Sequence, residues 1–547
     1  MFEKINTRKL ASIYARKKYH KTILATAIAG MTAFASLAHA DTPAYWGGAF
    51  GDTKISAMAG SSLLTLKTCG YDAGAICSLM WKGKEFINDS DHGRQLQSAL
   101  SFDGKGEAYN PTEAGADFEG NSRTDVQVSS SVLLNIAAKG NVLETTTRMA
   151  FWHHPLYNNA FDWMSHKKVS NHLLSKRVTL GAFGLSNVIQ YENTFVLASN
   201  EAHTLGQFEV LTAYMPKTDF SQFWSLDVKA GETTLRALTD GNAEQNKPIV
   251  FSSADGNYAM GIYSPDLPQD VKAHPDYQAA GYGRWRYASG DSVKWNNVFR
   301  YDNPVGNYSF ISYVIVGSRE EVRSTMLQLA SLAKPMNEYG IFNAVKSNYA
   351  ISKTASGYAV SSNSDGKIFN FDANQTARIK FTDATLAFDL NGTAGKIYRL
   401  INGAFNRVPD AGGTGFWIKQ SEDGATLEAI AAQLISSTEF KKYGSNLDDT
   451  QFIKLLYSNV LRRTGSTGDI NFWVDTLKKR QSREKLLTTF TESPENIARV
   501  APEIANGISY KAYFPSFSGF SAVSPAQKLV STPVPNILVS PFSSTTH

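Results

Sequence analysis

Between Asp91 and Gly115 the chain gathers side chains that could move protons around a sugar. Asp91-His92-Gly93-Arg94 sets an imidazole and a guanidinium on either side of a glycine that permits a tight turn. Asn110-Pro111-Thr112-Glu113-Ala114-Gly115 sets a carboxylate in a second turn, extended before its proline and closed by Gly115. Interconverting sugar anomers takes a carboxylate to remove the anomeric proton and an acid to protonate the ring oxygen, both with pKa values near working pH. His92 and His154 are the candidate acids, with His153 and His274 as further imidazoles; Glu113 and Glu192 are the candidate bases, with Asp91 as another carboxylate. Glu113 with Glu192 is also the pair a hydrolase would need. Arg94, Asn110, Arg284 and Trp285 are the candidate substrate-binding groups: guanidinium forks for hydroxyls or a carboxylate, and aromatics beside cations in Tyr282–Tyr287 and Lys294–Asn297 as a platform for an acidic saccharide.

Each group also has a structural reading. Asp91 and Arg94 can form a loop salt bridge, Glu113 can accept backbone hydrogen bonds in its turn, and the aromatic strip can be cross-strand packing. His153 and His154 are adjacent on a strand and point to opposite faces, which disfavours shared metal binding. No metal or cofactor is expected. Gly-x-Ser-x-Gly, Walker and His-Glu-x-x-His patterns do not occur.

These residues must be positioned by β structure. The chain has 547 residues, 42% hydrophobic, 12% aromatic and 19% charged, which predicts two or three globular domains. From 41 to 335, short runs of alternating apolar and polar residues, punctuated by Gly, Asn and Asp, predict a large antiparallel sandwich. Ser318 and the acids Glu320 and Glu321 predict the start of a closing helix. Residues 336–395 read as a β-rich linker module, 396–507 as an all-α helical domain, and 508–547 as a flexible tail rich in Ser, Pro and Val.

Residues 1–40 read as a secretory signal, with a basic start, an apolar run from Thr22 to Ala38 and a small-x-small site at Ala38-His39-Ala40. That segment holds seven basic residues and one acid, so the formal charge of +5 falls to about balance, 47 basic against 48 acidic, without it. The electrostatic motive for nucleic-acid binding disappears. No later apolar run approaches the roughly 18 residues of a membrane span. A secreted, periplasmic or cell-surface protein is expected, and in an oxidising compartment Cys69 and Cys77 predict one disulfide pinning a hairpin.

The helical segment repeats itself. Phe405-Asn406-Arg407, Gly412, Phe416-Trp417, Leu434, Ser437 and Glu439 recur 56 residues later as Leu461-Arg462-Arg463, Gly468, Phe472-Trp473, Phe490, Ser493 and Glu495. Such repetition predicts two halves burying apolar faces on each other, with both Phe-Trp pairs in the core. With Tyr398-Arg399-Leu400, Val408-Pro409-Asp410 and Ser437-Thr438-Glu439-Phe440, this region resembles a helical domain of unknown function from bacterial S-layer and RTX-type secreted proteins. The resemblance implies export and a cell-surface partner through the helical domain, and no reaction. The segment Gly74-Ala75-Ile76-Cys77-Ser78-Leu79-Met80-Trp81-Lys82-Gly83-Lys84-Glu85 and the stretch Glu209–Pro216 resemble the galactose-mutarotase-like supersandwich. That likeness implies a β supersandwich and a saccharide or polysaccharide ligand, as an epimerase, hydrolase, lyase or plain binder. The expectation is an exported carbohydrate-binding or carbohydrate-active protein; the alternative is a structural or adhesive surface protein without catalysis.

Overall fold

The computed structural model describes residues 52–514 except 91–92, 106–108, 116–128, 153–168, 240, 267–280 and 288–289. Residues 1–40, read above as a signal, and nearly all of the tail therefore lie outside the described residues, as do Asp91, His92, His153, His154 and His274.

The chain folds first into a small sheet of β1 (Thr53–Ala59), β2 (Ser62–Thr68), β3 (Ile76–Trp81) and β4 (Lys84–Glu85). A fifteen-stranded sheet follows, built from β5 (Gln97–Phe102), β6 (Pro111–Thr112), β7 (Val132–Lys139), β8 (Val142–Phe151), β9 (Val169–Leu180), β10 (Val188–Val196), β11 (Leu205–Pro216), β12 (Gln222–Ser225), β13 (Arg236–Ala237), β14 (Ala243–Gln245), β15 (Ile249–Ser252), β16 (Ala259–Tyr263), β17 (Tyr282–Arg286), β18 (Ser292–Asp302) and β19 (Asn307–Gly317). Its recorded pairings are antiparallel, and β5-β11-β18-β17-β14 forms one end of the strand order.

Alternation selects the core. In β10, Tyr191, Asn193 and Phe195 are buried while Gln190, Glu192 and Thr194 are less so. The inward rings of Phe195, Phe208 and Phe310 meet at centroid distances of 5.4–6.0 Å. Helix α1 (Arg319–Leu332) starts where the sequence predicts: the Ser318 hydroxyl accepts from Glu321 N–H while the Glu321 carboxylate accepts from Ser318 N–H. It lays Val322 and Met326 over Gly261, where a Cβ would come within 2.8 Å of both.

The disulfide Cys69–Cys77 is formed and ties the β2–β3 connection. Beyond α1 come a three-stranded sheet, β20 (Tyr349–Lys353), β21 (Gly357–Ser362) and β22 (Ile368–Asp372), and another of β23 (Arg378–Lys380), β24 (Thr385–Ala387) and β25 (Ile508–Tyr510).

The chain divides into two compact units. The first holds residues up to 395 with 410–423 and 503–517; the second, among described residues, holds 396–409 and 424–502. Helix α2 (Thr393–Phe405) runs into the second unit, and α3 (Ala411–Glu422) belongs to the first, where Phe416 meets Tyr513 at 5.0 Å. The second unit contains α4 (Leu427–Ser436), α5 (Asp449–Asn459), α6 (Thr467–Lys478), α7 (Arg483–Thr491) and α8 (Pro494–Val500). Its core includes Ile430, Leu434, Phe452, Leu456, Leu487 and Phe490. One expectation is corrected in this unit. Phe472 is not core but 62% exposed, because on α6 it is Ile470 that turns inward while Trp473 leans on Phe490.

Candidate functional site

Strands β11 and β18 run side by side in antiparallel register, with Tyr214 opposite Lys294 and Thr212 opposite Asn296. A bulge between Glu209 and Leu211 advances Glu209 towards the same row. The result is a charged cluster on one sheet face. Lys294 Nζ lies 3.4 Å from Glu209 Oε2, and Thr212 Oγ1 donates to that oxygen at 2.6 Å. The side chains keep 14% and 18% of their surface exposed, so water reaches the pair.

Aromatic rings frame it. Lys294 Nζ sits 5.0 Å from the centre of Trp285 and 5.4 Å from that of Tyr214, within cation–π reach of both. Tyr214 and Tyr287 lie parallel, their centroids 6.4 Å apart. Trp285 can reach over Gly283, on the same face of β17, because that residue has no side chain: a Cβ there would come 2.0 Å from the indole. Further along the face, Arg300 Nη2 donates to both Glu244 oxygens at 2.9 Å and Arg300 Nε donates to Gln207 at 2.8 Å.

The electrostatics fix the charge state. Burial pushes the Glu209 carboxyl up, but Lys294, Thr212 and Asn296 outweigh it and hold it below the usual range. Burial pushes the Lys294 ammonium down, but Glu209 and then Tyr214 and Tyr287 outweigh that and raise it. The cluster is therefore a lasting ion pair at neutral pH, suited to hydrogen-bonding and stacking, with neither partner poised to exchange a proton.

The groups singled out in the sequence take different places. Trp285 lies in this cluster. Arg94 lies at its margin, paired with Asp291 and donating to Ser292 at 3.0 Å, two residues before Lys294. The two turns are tied together through Gln97, which stands opposite Thr212: its Nε2 donates to the Gly93 carbonyl at 2.8 Å and its Oε1 accepts from Ala114 N–H at 2.9 Å. Asn110 sits at the second turn, its carbonyl accepting from Trp152 N–H at 2.8 Å.

Arg284 points to the opposite, interior face, where it is 2% exposed and donates to Gln245 at 2.6 Å. Glu113 also turns inward. It is wholly enclosed, ion-paired with the equally enclosed Lys176, and accepts from Ser98 N–H at 3.2 Å, so it offers no atom to a dissolved sugar. Glu192 lies on the outward face of β10, away from Glu113, which faces the core.

Sequence reading missed Glu209 and saw Lys294 only as the cation of the Lys294–Asn297 strip, without its partner. Glu209 is the one charge in β11, and only strand register brings it to Lys294, 85 residues on. Gly283→Ala tests the framing: the new methyl must displace both the indole and the buried Asn296 amide, so saccharide affinity should fall roughly tenfold, about 1.4 kcal/mol, together with some loss of thermal stability. An unchanged affinity would remove Trp285 from the site.

Two clusters could be considered for metal. Cys69 and Cys77, near Asp72 and Asp89, have both sulfurs in the disulfide and leave only carboxylates. His172 and His203 each bring Nε2 to Glu201 Oε2, at 3.4 and 3.5 Å. Ala198 N–H donates to His172 Nδ1 at 3.1 Å, which places that ring's own proton on Nε2, facing Glu201. A bound metal would need a lone pair there, so the donor set does not fit one.

The Glu201 group is instead a stability device. The contact with His172, opposed by burial and aided by the Tyr109 hydroxyl, lowers its pKa to about 2. A folded-state pKa below the unfolded one gives stability that is present above the unfolded value and lost as pH falls through the folded value. The domain should lose stability as pH drops from about 4.5 towards about 2, and Glu201→Gln should flatten that part of a melting-temperature profile.

Comparison with known proteins adds little chemistry. Residues 431–500 match a family described as Domain of unknown function (DUF4214). No curated protein matches the chain in sequence. The chain is similar in structure to a galactose mutarotase-like protein from Lactobacillus casei, at 10% identity and a TM-score of 0.28 over 49% of this chain and 100% of that one. It is similar to a galactose mutarotase related enzyme from Lactobacillus acidophilus, at 11% identity and a TM-score of 0.26 over 49% and 98%. It is also similar to the alpha-galactosidase from Lactobacillus brevis, at 7% identity and a TM-score of 0.27 over 49% of this chain and 39% of that one. Scores of this size carry no argument about the site, which stands on its own residues.

Proposed function

We propose that the protein binds a saccharide on the sheet face that carries Glu209, Tyr214, Trp285 and Lys294, and that it does so outside the cytoplasm. The observation that carries this reading is the Trp285 indole beside a partly exposed carboxylate–ammonium pair. A sugar ring needs an apolar platform for its C–H face and paired donors and acceptors for its hydroxyls, and this face supplies both. The fixed charges favour binding over proton transfer.

A catalytic reading has one observation in its favour: Gly93, next in sequence to His92, is tied to Gln97 on β5, the strand beside β11 of the site. His92 would supply the titrating group that the ion pair lacks, with Arg94 and Asn110 holding substrate and His154 as a second acid; Glu113 would support the fold and Glu192 would act elsewhere. A polysaccharide panel with reducing-end, unsaturated-product and anomer-interconversion assays separates the readings. Binding without turnover is expected; turnover lost in His92→Ala would establish the enzyme.

Export is supported by the signal-like residues 1–40 and by the Cys69–Cys77 disulfide. We read the large sheet as a supersandwich and the helical segment as two copies of one unit. Arg407 forks onto Glu439 and Arg463 onto Glu495, the same ion pair 56 residues on, and Asp410 and Ser466 cap α3 and α6 alike. Exposed Val408 and Phe472 suit that region to a partner at the cell surface.

A further inference from the structure

A cavity of about 300 Å³ opens on the outward face of β10 and β19, with Gln190, Glu192, Tyr313, Tyr339, Lys380 and Phe183 among its lining. That volume is at the small end of ligand pockets, a size suited to a mono- or disaccharide. Register places Gln190 opposite Tyr313, so amide, carboxylate and phenol share one face. Gln190 Nε2 donates to Glu192 Oε1 at 3.1 Å, presenting an acceptor and an amide side by side, and Glu192 has no ion-pair partner among the described residues. Burial and the neighbouring Tyr339 push the Tyr313 hydroxyl well above its usual pKa, so it keeps its proton and can donate.

Phe183 needs an explanation. It is a large apolar side chain left 43% exposed, held at φ 56° between Gly181 and Gly184, its ring 5.7 Å from Tyr313. A left-handed backbone costs a non-glycine residue on the order of 1–2 kcal/mol, and burial of the ring does not offset it. Strain of this kind marks ligand sites more than scaffolding. The charges in the lining also narrow the ligand. The nearby Arg378 guanidinium is already engaged by Asp389 and Glu422, which leaves Lys380 to balance Glu192 and favours a neutral partner.

We propose that this cavity is a second saccharide site, taking one neutral pyranose ring with its C–H face on Phe183 and vicinal hydroxyls on Glu192 and Gln190. It uses none of the residues of the Glu209–Lys294 cluster, so the two sites stand or fall separately.

The test places 4-fluorophenylalanine at position 183 of the full chain and follows its ¹⁹F resonance during titration with galactose, glucose, mannose and N-acetylglucosamine to millimolar saturation. At least one sugar should shift the resonance saturably. Glu192→Gln, which keeps the volume and removes the charge, should weaken that response about tenfold, and Trp285→Ala should leave it intact. A resonance unmoved by every sugar overturns the proposal. So does a shift that disappears in Trp285→Ala, because the ring would then be reporting the other site. Loss of other saccharide binding in Trp285→Ala with the shift retained supports two sites; a retained shift without any Trp285-dependent binding supports this cavity and refutes the first.

Discussion

Lys176→Met is expected to destabilise the β domain by about 3–5 kcal/mol at neutral pH, because it strands a charge-bearing group in a dry interior. Glu113 and Lys176 both have no exposed side-chain surface, and Lys176 also reaches the Gly74 carbonyl at 3.4 Å. Burial pushes the Glu113 carboxyl up and the Lys176 ammonium pulls it back down, the first being the larger effect. Without Lys176 the carboxyl takes a proton. Its folded pKa then lies above the unfolded one, so stability is fully present below the unfolded value and falls as pH rises through the folded value. The penalty should therefore shrink under acid conditions and grow above neutrality. Glu113→Gln with Lys176→Met should recover much of the loss, since no unpaired charge remains. Chemical denaturation across pH measures both effects. A Lys176→Met protein as stable as wild type at pH 8 would contradict the assignment of the pair to the fold.

Trp285→Ala is expected to cost about 2–4 kcal/mol of saccharide binding, the range of a central aromatic anchor, with little effect on folding. The ring lies on the sheet surface over Gly283 and beside Lys294, so its removal uncovers backbone but opens no core cavity. Lys294→Met should be as harmful to binding for a different reason: Glu209 loses its counter-charge, and its pKa rises from below the usual range. The double change Glu209→Gln with Lys294→Met separates charge from shape. It should fold well and bind weakly. Trp285→Phe keeps a smaller platform and should retain part of the affinity, which a merely structural indole would not predict.

The sequence carried the local features and withheld the distant ones. Ser318 and Glu321 announced their helix start because a cap is written in neighbouring residues. Cys69 and Cys77 announced their bond by spacing. Trp285 was visible as part of an aromatic, cationic strip. Its neighbour Arg284 was grouped with it, yet period-two alternation sends the two side chains to opposite faces. Glu113 looked like a base because its turn is polar, but register closes Lys176 over it from a strand 63 residues away. Lys294 was visible as the cation of a second aromatic strip, but Glu209 was passed over because it is the one charge in an apolar strand. The β11–β18 pairing and the bulge at Glu209 make them a pair, and neither pairing nor bulge is written in nearby residues. Phe472 was assigned to a core on the strength of a repeat, although only one flank of a short helix can be buried.

The most direct test of saccharide binding at this sheet face is isothermal titration of the wild-type chain and of Trp285→Ala with a sugar chosen from a glycan array, with matched circular dichroism spectra. The account predicts saturable binding to wild type and its loss, or a fall of about thirtyfold or more, in the variant. Equal affinity in both proteins, or no array glycan bound by wild type, would contradict it.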